Sequence, residues 1–168
     1  EKNFLSLFNA INHMAEKYDM PILYSCHPRS RNRLAASGFQ LDPRVIQHEP
    51  LGFHDYNCLQ MNAFAVVSDS GTLPEESSFF TSVGHPFPAI CIRTSTERPE
   101  AIDKGDFIIA GIDEKSLLQA VDTAVELCRD GQHGIPVPDY VDENVSTKVV
   151  KIVQSYVGIV NKMVWRKF

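Results

Sequence analysis

Several features are scarce in this 168-residue sequence, and each scarcity argues against a class of protein. The four cysteines stand singly without a C-x-x-C pair, which disfavours zinc sites and disulfides and favours reduced thiols in the cytoplasm. The formal net charge is -5 and no basic run occurs, so we expect neither nucleic acid nor a membrane as a partner. No apolar stretch approaches the roughly 20 residues of a membrane helix, and no signal-peptide pattern is seen. We therefore predict a soluble cytoplasmic chain that needs no metal or cofactor.

The sequence does contain enough apolar residues, 43% of the total, for one packed core. Segments of helical periodicity alternate with short continuous apolar runs. Such buried runs are typical of parallel strands that are covered on both faces. We therefore predict an α/β fold, a Rossmann-like parallel sheet flanked by helices. Helices are expected near residues 4–18, 56–62, 72–83, 99–104 and 117–128, and strands near 22–24, 45–46, 63–67, 89–92 and 107–110.

The C-terminal part of the chain has a different pattern. Residues 130–140 are rich in glycine and proline, and they precede a last helix predicted over residues 142–162. We expect a nucleotide-binding domain over residues 1–138 and a separate helical segment over 139–168. The apolar stripe of that helix is broad, so part of it should face something outside the domain.

The stretch "SDSGTLPEES", residues 68–77, follows a predicted strand and opens a predicted helix. Gly71 permits a tight turn, and Thr72 with Glu75 matches the T-x-x-E capping box, which satisfies free backbone N–H groups. Helix capping gives no reason for the presence of Ser70, Gly71 and Glu76. Free N–H groups beside a hydroxyl and a glycine form an anion site that suits a phosphate, and a carboxylate one turn further on suits a ribose diol. A plain capped helix is the alternative interpretation.

Two more polar loops follow predicted strands. In "SCHPRS", Pro28 favours an extended conformation for His27, so we expect its imidazole to project from a loop at the same sheet edge. In "RTSTERPE", Pro99 suits the first position of a helix, which places Arg98 at the cap with a guanidinium free for phosphate or carboxylate. The alternatives are a surface histidine in a turn and an ordinary salt bridge.

Together, "SDSGTLPEES" and "TERPEA" resemble the non-hydrolysing UDP-N-acetylglucosamine 2-epimerase family. The resemblance covers nearly the whole chain as the C-terminal half of such an enzyme, which has the glycosyltransferase-B architecture. The sequences of the S-G-T, E-E-S-S and R-T-S-T-E-R-P-E segments most resemble those of the branch that makes UDP-N-acetyl-L-fucosamine from the L-talose epimer. That branch serves capsule and O-antigen synthesis.

The resemblance implies a UDP-sugar site built from residues of several loops. Ser70 and Gly71 would hold the phosphates, with Thr72 at a position where the family often has a second glycine. Glu76 would bind the ribose hydroxyls, and an aromatic residue would lie beside the uracil. The implied site residues are His27, Tyr56, Ser70, Gly71, Thr72, Glu76 and Arg98. Arg29 and Ser30 depart from the Asn-Pro that often follows the family's histidine.

The family's chemistry, as the resemblance implies it, is elimination of UDP across C1 and C2 of the sugar followed by re-addition. The acid and base of this reaction belong to the N-terminal half, so we expect no catalytic residue on this chain. A strand and a His-Arg-Glu-Glu-Asn-type loop that usually precede the "EKNFLSLF" helix are also missing. The expected partners are a UDP-sugar, the protein's own N-terminal domain and a second copy of the full-length enzyme.

Three other functions remain open on sequence alone. A glycosyltransferase of the same architecture would also place a glutamate on the donor ribose. A module that binds nucleotides without catalysis is a further possibility. A receiver domain with Asp69 as phosphoacceptor lacks the expected acidic pair and lysine.

Overall fold

The computed structural model describes residues 2–167, with side chains from residue 4 onward. Helices and strands alternate along most of this length, and a 3-10 turn lies at Pro138–Tyr140. The helices are α1 Lys2–Tyr18, α2 Pro28–Ser37, α3 Phe53–Asn62, α4 Leu73–Ser82, α5 Pro99–Asp103, α6 Glu114–Arg129 and α7 Val145–Met163. The strands are β1 Ile22–Ser25, β2 Val45–His48, β3 Val66–Ser68, β4 Ala89–Cys91 and β5 Ile108–Ile109.

All of these strands pair in parallel. β1 pairs with β2, with Ile22 opposite Val45, and a second sheet has the order β3-β4-β5, with Val66 opposite Ala89. A helix connects each strand to its parallel neighbour, as a crossover connection requires. The predicted α/β class with helix-flanked parallel strands is therefore confirmed.

The core forms where α1 and α6 meet the strands. Phe8 of α1, Ile90 of β4 and Leu117 of α6 are almost completely buried in one cluster. Asp113 starts α6 by accepting a hydrogen bond from the backbone N–H of Ser116 at 3.0 Å, which satisfies one free donor of the first turn. The apolar faces of α1 and α6 thus pack in the core with the strands.

His27 lies in the loop between β1 and α2, as predicted, and helix α2 begins at the next residue. His27 is its N-cap: the backbone is extended, as the following proline requires, and ring Nδ1 accepts from the N–H of Arg29 at 3.3 Å. Sequence periodicity did not indicate α2 because Leu34 is its one buried residue. The imidazole is exposed at the carboxyl end of β1.

The chain divides into two compact units, Glu1–Val137 and Pro138–Phe168. The last segment of the first unit is fixed by hydrogen bonds. The N–H of Val137 donates to Oγ of Ser78 at 2.7 Å, and the N–H of Ile135 donates to the carbonyl of Lys104 at 2.9 Å. The first unit therefore extends through this segment and does not end with α6.

A buried carboxyl group lies under that segment. Asp106 is 5% exposed, and neither of its carboxyl oxygens has a hydrogen bond of standard geometry in the part of the chain that the structure describes. Burial raises the pKa of Asp106, and the nearby Ser78 hydroxyl offsets this by a smaller amount. Gly134 packs so closely that a Cβ there would lie 2.7 Å from the backbone nitrogen of Asp106. A glycine is thus required where the chain crosses this aspartate.

The second unit is formed mainly by α7. Across residues 145–163, all of which the structure describes, no side chain is buried. The exposed apolar residues include Val149, Val153 and Tyr156, and Trp165 follows the helix. Among residues 2–167, no helix has the length and apolar character that crossing a membrane requires.

Candidate nucleotide site

The turn between β3 and α4 is held by serine hydroxyl groups. Oγ of Ser68 accepts a hydrogen bond from the N–H of Ser70 at 3.0 Å, and Oγ of Ser70 accepts from the N–H of Thr72 at 3.2 Å. Such short-range bonds let a serine side chain shape a turn in place of backbone contacts. The turn brings the first residues of α4 to the carboxyl end of β3, the edge at which open parallel sheets bind ligands.

The predicted capping box of Thr72 and Glu75 is wrong. Thr72 is the N-cap of α4, but its backbone is already helical (φ -87°, ψ -12°) and its side chain makes no capping bond. Its hydroxyl instead donates to Oε1 of Glu76 at 2.7 Å. Glu75 accepts from Arg98, so neither member of the box satisfies the first N–H groups of α4. The N–H of Thr72 donates to Oγ of Ser70, and Pro74 has no N–H group. Within the described residues, this leaves the N–H groups of Leu73 and Glu75 without a partner in the first turn.

Glu76 is the centre of a hydrogen-bonded group that we call the Glu76 cluster, formed by Tyr56, Gln60, Ser70, Thr72 and Glu76. Thr72 donates to Oε1 of Glu76, and Nε2 of Gln60 donates to Oε2 at 2.5 Å. The Ser70 and Thr72 hydroxyl groups lie 2.8 Å apart. A carboxylate offers about four acceptor positions, and the bonds from Gln60 and Thr72, together with the nearby Tyr56 hydroxyl, do not use all of them. The half-buried carboxylate is thus fixed in direction but not saturated.

Tyr56 joins the cluster through its hydroxyl group, which accepts from Nε2 of Gln60 at 3.0 Å. Burial, followed by the charge of Glu76 and a hydrogen bond to it, raises the pKa of Tyr56 to about 12. The phenol therefore stays neutral at physiological pH. Tyr56 is partly exposed and lies beside Glu76, so the structure places the aromatic residue next to the candidate ribose contact.

Gly71 does not serve the purpose that the sequence suggests. Its φ is not in the left-handed region, so the turn itself does not demand a glycine. A Cβ at this position would lie 3.9 Å from a guanidinium nitrogen of Arg93, which is an ordinary contact distance. What the missing side chain provides is open space between the backbone and Arg93. Close approach of a ligand to the backbone is the usual benefit of glycine in such a place.

Arg93 was not predicted as a site residue. It is the second residue after β4, its Nε donates to the carbonyl of Asp69 at 2.6 Å, and its Nη1 pairs with Glu97 at 3.0 Å. These two contacts hold the guanidinium beside Gly71. Its position after a strand, in "ICIR", was the signal that could have identified it.

Arg98 is the N-cap residue of α5, as predicted, but its guanidinium is not free. Nε and Nη2 each lie 2.7 Å from Oε1 of Glu75. The ordinary salt bridge that was the alternative interpretation is therefore present. This salt bridge joins the start of α5 to the start of α4, at the residue that precedes Glu76.

The structure thus joins Ser70, Thr72 and Glu76 directly and Tyr56 through Gln60, and it places Gly71 within the same turn. Arg98 is linked to this turn through the neighbouring Glu75. The hydrogen bonds of His27 remain within the start of its own helix. Gln60 was missed entirely, since nothing in the sequence distinguishes a glutamine buried in the last turn of α3.

This architecture defines the class of the protein. Parallel strands flanked by helices, with polar loops at their carboxyl ends, form a Rossmann-like α/β protein. The sequence model of the family described as UDP-N-acetylglucosamine 2-epimerase matches residues 1–154. The chain belongs to this family.

Individual relatives agree with that assignment. A UDP-N-acetylglucosamine 2-epimerase of Methanococcus maripaludis is 31% identical over 121 residues, which cover 69% of this chain and 31% of the relative. The solved UDP-N-acetylglucosamine 2-epimerase of Rickettsia bellii superposes with a TM-score of 0.87 at 36% identity, covering 99% of this chain and 45% of that one. The Methanocaldococcus jannaschii enzyme, solved with UDP-GlcNAc and UDP, gives a TM-score of 0.77 at 25% identity, covering 92% of this chain and 41% of that one.

These solved relatives have the glycosyltransferase-B architecture, and this chain corresponds to part of it. The predicted fold class and the resemblance to the epimerase family are confirmed. The chain spans about a third of the length of the curated relative described above and less than half of the solved ones.

Proposed function

We propose that this chain binds the UDP part of a sugar nucleotide in a larger nucleotide-sugar 2-epimerase. The observation that carries the proposal is the fixed carboxylate of Glu76 in the first turn of α4, beside the Ser70–Gly71–Thr72 turn at the carboxyl end of β3. A helix N-terminus attracts phosphate, and a carboxylate accepts hydrogen bonds from two neighbouring hydroxyl groups. A nucleoside diphosphate carries its phosphate groups and a pair of ribose hydroxyl groups within a few bonds of each other.

In this proposal each part of the nucleotide has its own contacts. Ser70, Gly71 and Thr72 bind the phosphates, and Arg93 supplies a positive charge beside Gly71. Glu76 accepts from the ribose hydroxyls. Tyr56 lies beside the uracil, where an aromatic face stabilises a planar base. His27 and Arg98 line the outer part of the site, the latter while paired with Glu75.

The proposed reaction of the larger enzyme is epimerisation at C2 of an acetamido sugar. A base removes the C2 proton as the C1–O bond breaks and UDP leaves, giving a 2-acetamidoglycal. A proton then returns to the opposite face of C2, and UDP adds back to C1. We propose that the acid and base belong to an N-terminal half and that this chain supplies no catalytic residue.

The substrate that we propose first is UDP-2-acetamido-2,6-dideoxy-L-talose, which would yield UDP-N-acetyl-L-fucosamine for capsule or O-antigen synthesis. The residues of the S-G-T, E-E-S-S and R-T-S-T-E-R-P-E segments support this choice over UDP-GlcNAc, the sugar nucleotide in the names of the epimerase relatives. We further propose that α7 packs on the N-terminal half and that the full enzyme is a homodimer. The exposed apolar side chains of α7 support the first of these proposals.

Titration of the chain with UDP and with ADP, followed by calorimetry, tests nucleotide binding. We expect UDP to bind more tightly than ADP, because the site should contact the base as well as the phosphates and ribose. Equal affinities would contradict the epimerase assignment and favour a general nucleotide-binding module. A glycosyltransferase donor domain would also prefer UDP, and the full-length enzyme distinguishes it: an epimerase incorporates solvent deuterium at C2 of the sugar, whereas a glycosyltransferase does not.

The absence of catalytic residues has its own test. Residues 1–168 alone should neither release UDP from a 2-acetamido sugar nucleotide nor exchange deuterium into C2. Clear exchange by the chain alone would place the acid and base within it and overturn this part of the proposal.

A further inference from the structure

Gln60 is a buried polar side chain whose position packing alone does not explain. It lies in the last turn of α3 and is 2% exposed. Its Nε2 donates both to Oε2 of Glu76 and to the Tyr56 hydroxyl, at 2.5 and 3.0 Å. Its Oε1 is also buried and has no hydrogen-bond partner in the described part of the chain. A leucine or methionine would fill this volume without leaving an acceptor unpaired, which costs free energy.

The orientation of the Gln60 amide follows from its neighbours. The reverse orientation would place its oxygen against the carboxylate of Glu76, so two acceptors would face each other without a proton between them. The observed orientation uses both amide protons, and one of the two bonds has a charged acceptor, which makes it stronger than a neutral one. The stronger hydrogen bond to Glu76 offsets the free-energy cost of leaving the Gln60 oxygen unpaired.

We propose that Gln60 is a positioning residue that fixes the Glu76 carboxylate to receive a ribose diol. Gln60 occupies one acceptor position on Oε2, and Thr72 occupies one on Oε1. The acceptor capacity that remains on this carboxylate is offered to the adjacent hydroxyl groups of a ribose. Gln60 thereby makes the site selective for a ribonucleotide over a nucleotide without these hydroxyls. This inference depends on the proposed binding of UDP.

The experiment compares UDP with 2′,3′-dideoxy-UDP in the wild-type chain and in Gln60→Met, which has a similar volume and no hydrogen-bond donor. Isothermal titration calorimetry gives both affinities and hence the ribose selectivity. We expect wild type to prefer UDP, and we expect Gln60→Met to lose about tenfold of that preference, as for a charge-assisted hydrogen bond. Binding of the dideoxy compound should not change. The matched control is Gln119→Met on the exposed face of α6, which should alter neither affinity.

A second variant separates positioning from folding. In a Glu76→Gln background, Gln60→Met should have no further effect on ribose selectivity, because the residue through which it acts has been changed. If Gln60→Met instead weakens both nucleotides equally, or leaves the selectivity at the wild-type value, Gln60 has a purely structural role and the inference is wrong. If wild type prefers UDP to ADP but not to dideoxy-UDP, only the ribose inference fails. Lack of UDP binding would overturn the proposed function as well.

Discussion

Glu75 and Glu76 are consecutive residues of α4, and the structure gives them separate tasks. Glu75 pairs with Arg98, whereas Glu76 accepts from Gln60 and Thr72. Changing each to glutamine removes one charge from the same helix turn and nearly preserves volume. The pair therefore tests whether the nucleotide is recognised by Glu76 or by the general negative charge at the start of the helix.

The structure determines the expected magnitude for each change. The Glu75 and Arg98 side chains are both 36% exposed, and an ion pair at that exposure contributes about 0.2–1 kcal/mol. Glu75→Gln should therefore lower Tm by about 1–3 °C and change the Kd for UDP by less than about threefold. Glu76→Gln replaces one carboxylate oxygen by a donor. Loss of a hydrogen bond to a charged acceptor, about 1.5–3 kcal/mol, weakens UDP binding by about 10- to 150-fold.

Calorimetric titration with UDP and thermal unfolding of both variants provide the measurements. Wild type and Glu75→Gln should give similar isotherms, and Glu76→Gln should bind UDP far more weakly. The opposite pattern, with Glu75→Gln weakening binding and Glu76→Gln leaving it intact, would refute the assignment of Glu76 to the ribose.

Three further predictions concern other parts of the chain. Burial raises the pKa of Asp106, so the stability of the wild-type chain should fall as pH rises from about 4, the unfolded pKa, through the raised folded pKa. Asp106→Asn should therefore raise Tm at pH 7 and not at pH 3. An equal change in Tm at both pH values would contradict this prediction. Arg93→Ala should weaken UDP binding about tenfold and leave uridine binding unchanged, as expected for a phosphate contact; equal losses would argue for a structural role. Backbone amides of residues 145–163 should exchange hydrogen rapidly in this chain and slowly in a full-length enzyme, whereas strong, concentration-independent protection in this chain would contradict docking of α7 on the N-terminal half.

Much of the fold could be predicted because buried parallel strands have a strong local signal. The runs around Ile22, Val66 and Ile90 are continuously apolar, and each became a strand. Helix α2 could not be predicted in this way, because a helix with one buried residue has almost no apolar periodicity. Its start was nevertheless marked by Pro28, a residue well suited to the first turn of a helix.

The candidate site was predictable only where the residues lie close together in sequence. Ser70, Thr72 and Glu76 were selected from one short motif and do lie together. The capping-box prediction failed because Thr72 already has a helical backbone, which directs its hydroxyl to Glu76. The contact from Gln60 spans 16 positions and depends on how α3 packs beside α4, so no local pattern contains it.

A crystal structure of this chain with UDP would show directly whether Glu76 binds the ribose. We expect the ribose hydroxyls within hydrogen-bond distance of the Glu76 carboxylate and the phosphates against the turn at Ser70 and Gly71. UDP bound away from the carboxyl end of β3, or with its ribose turned away from Glu76, would contradict this expectation.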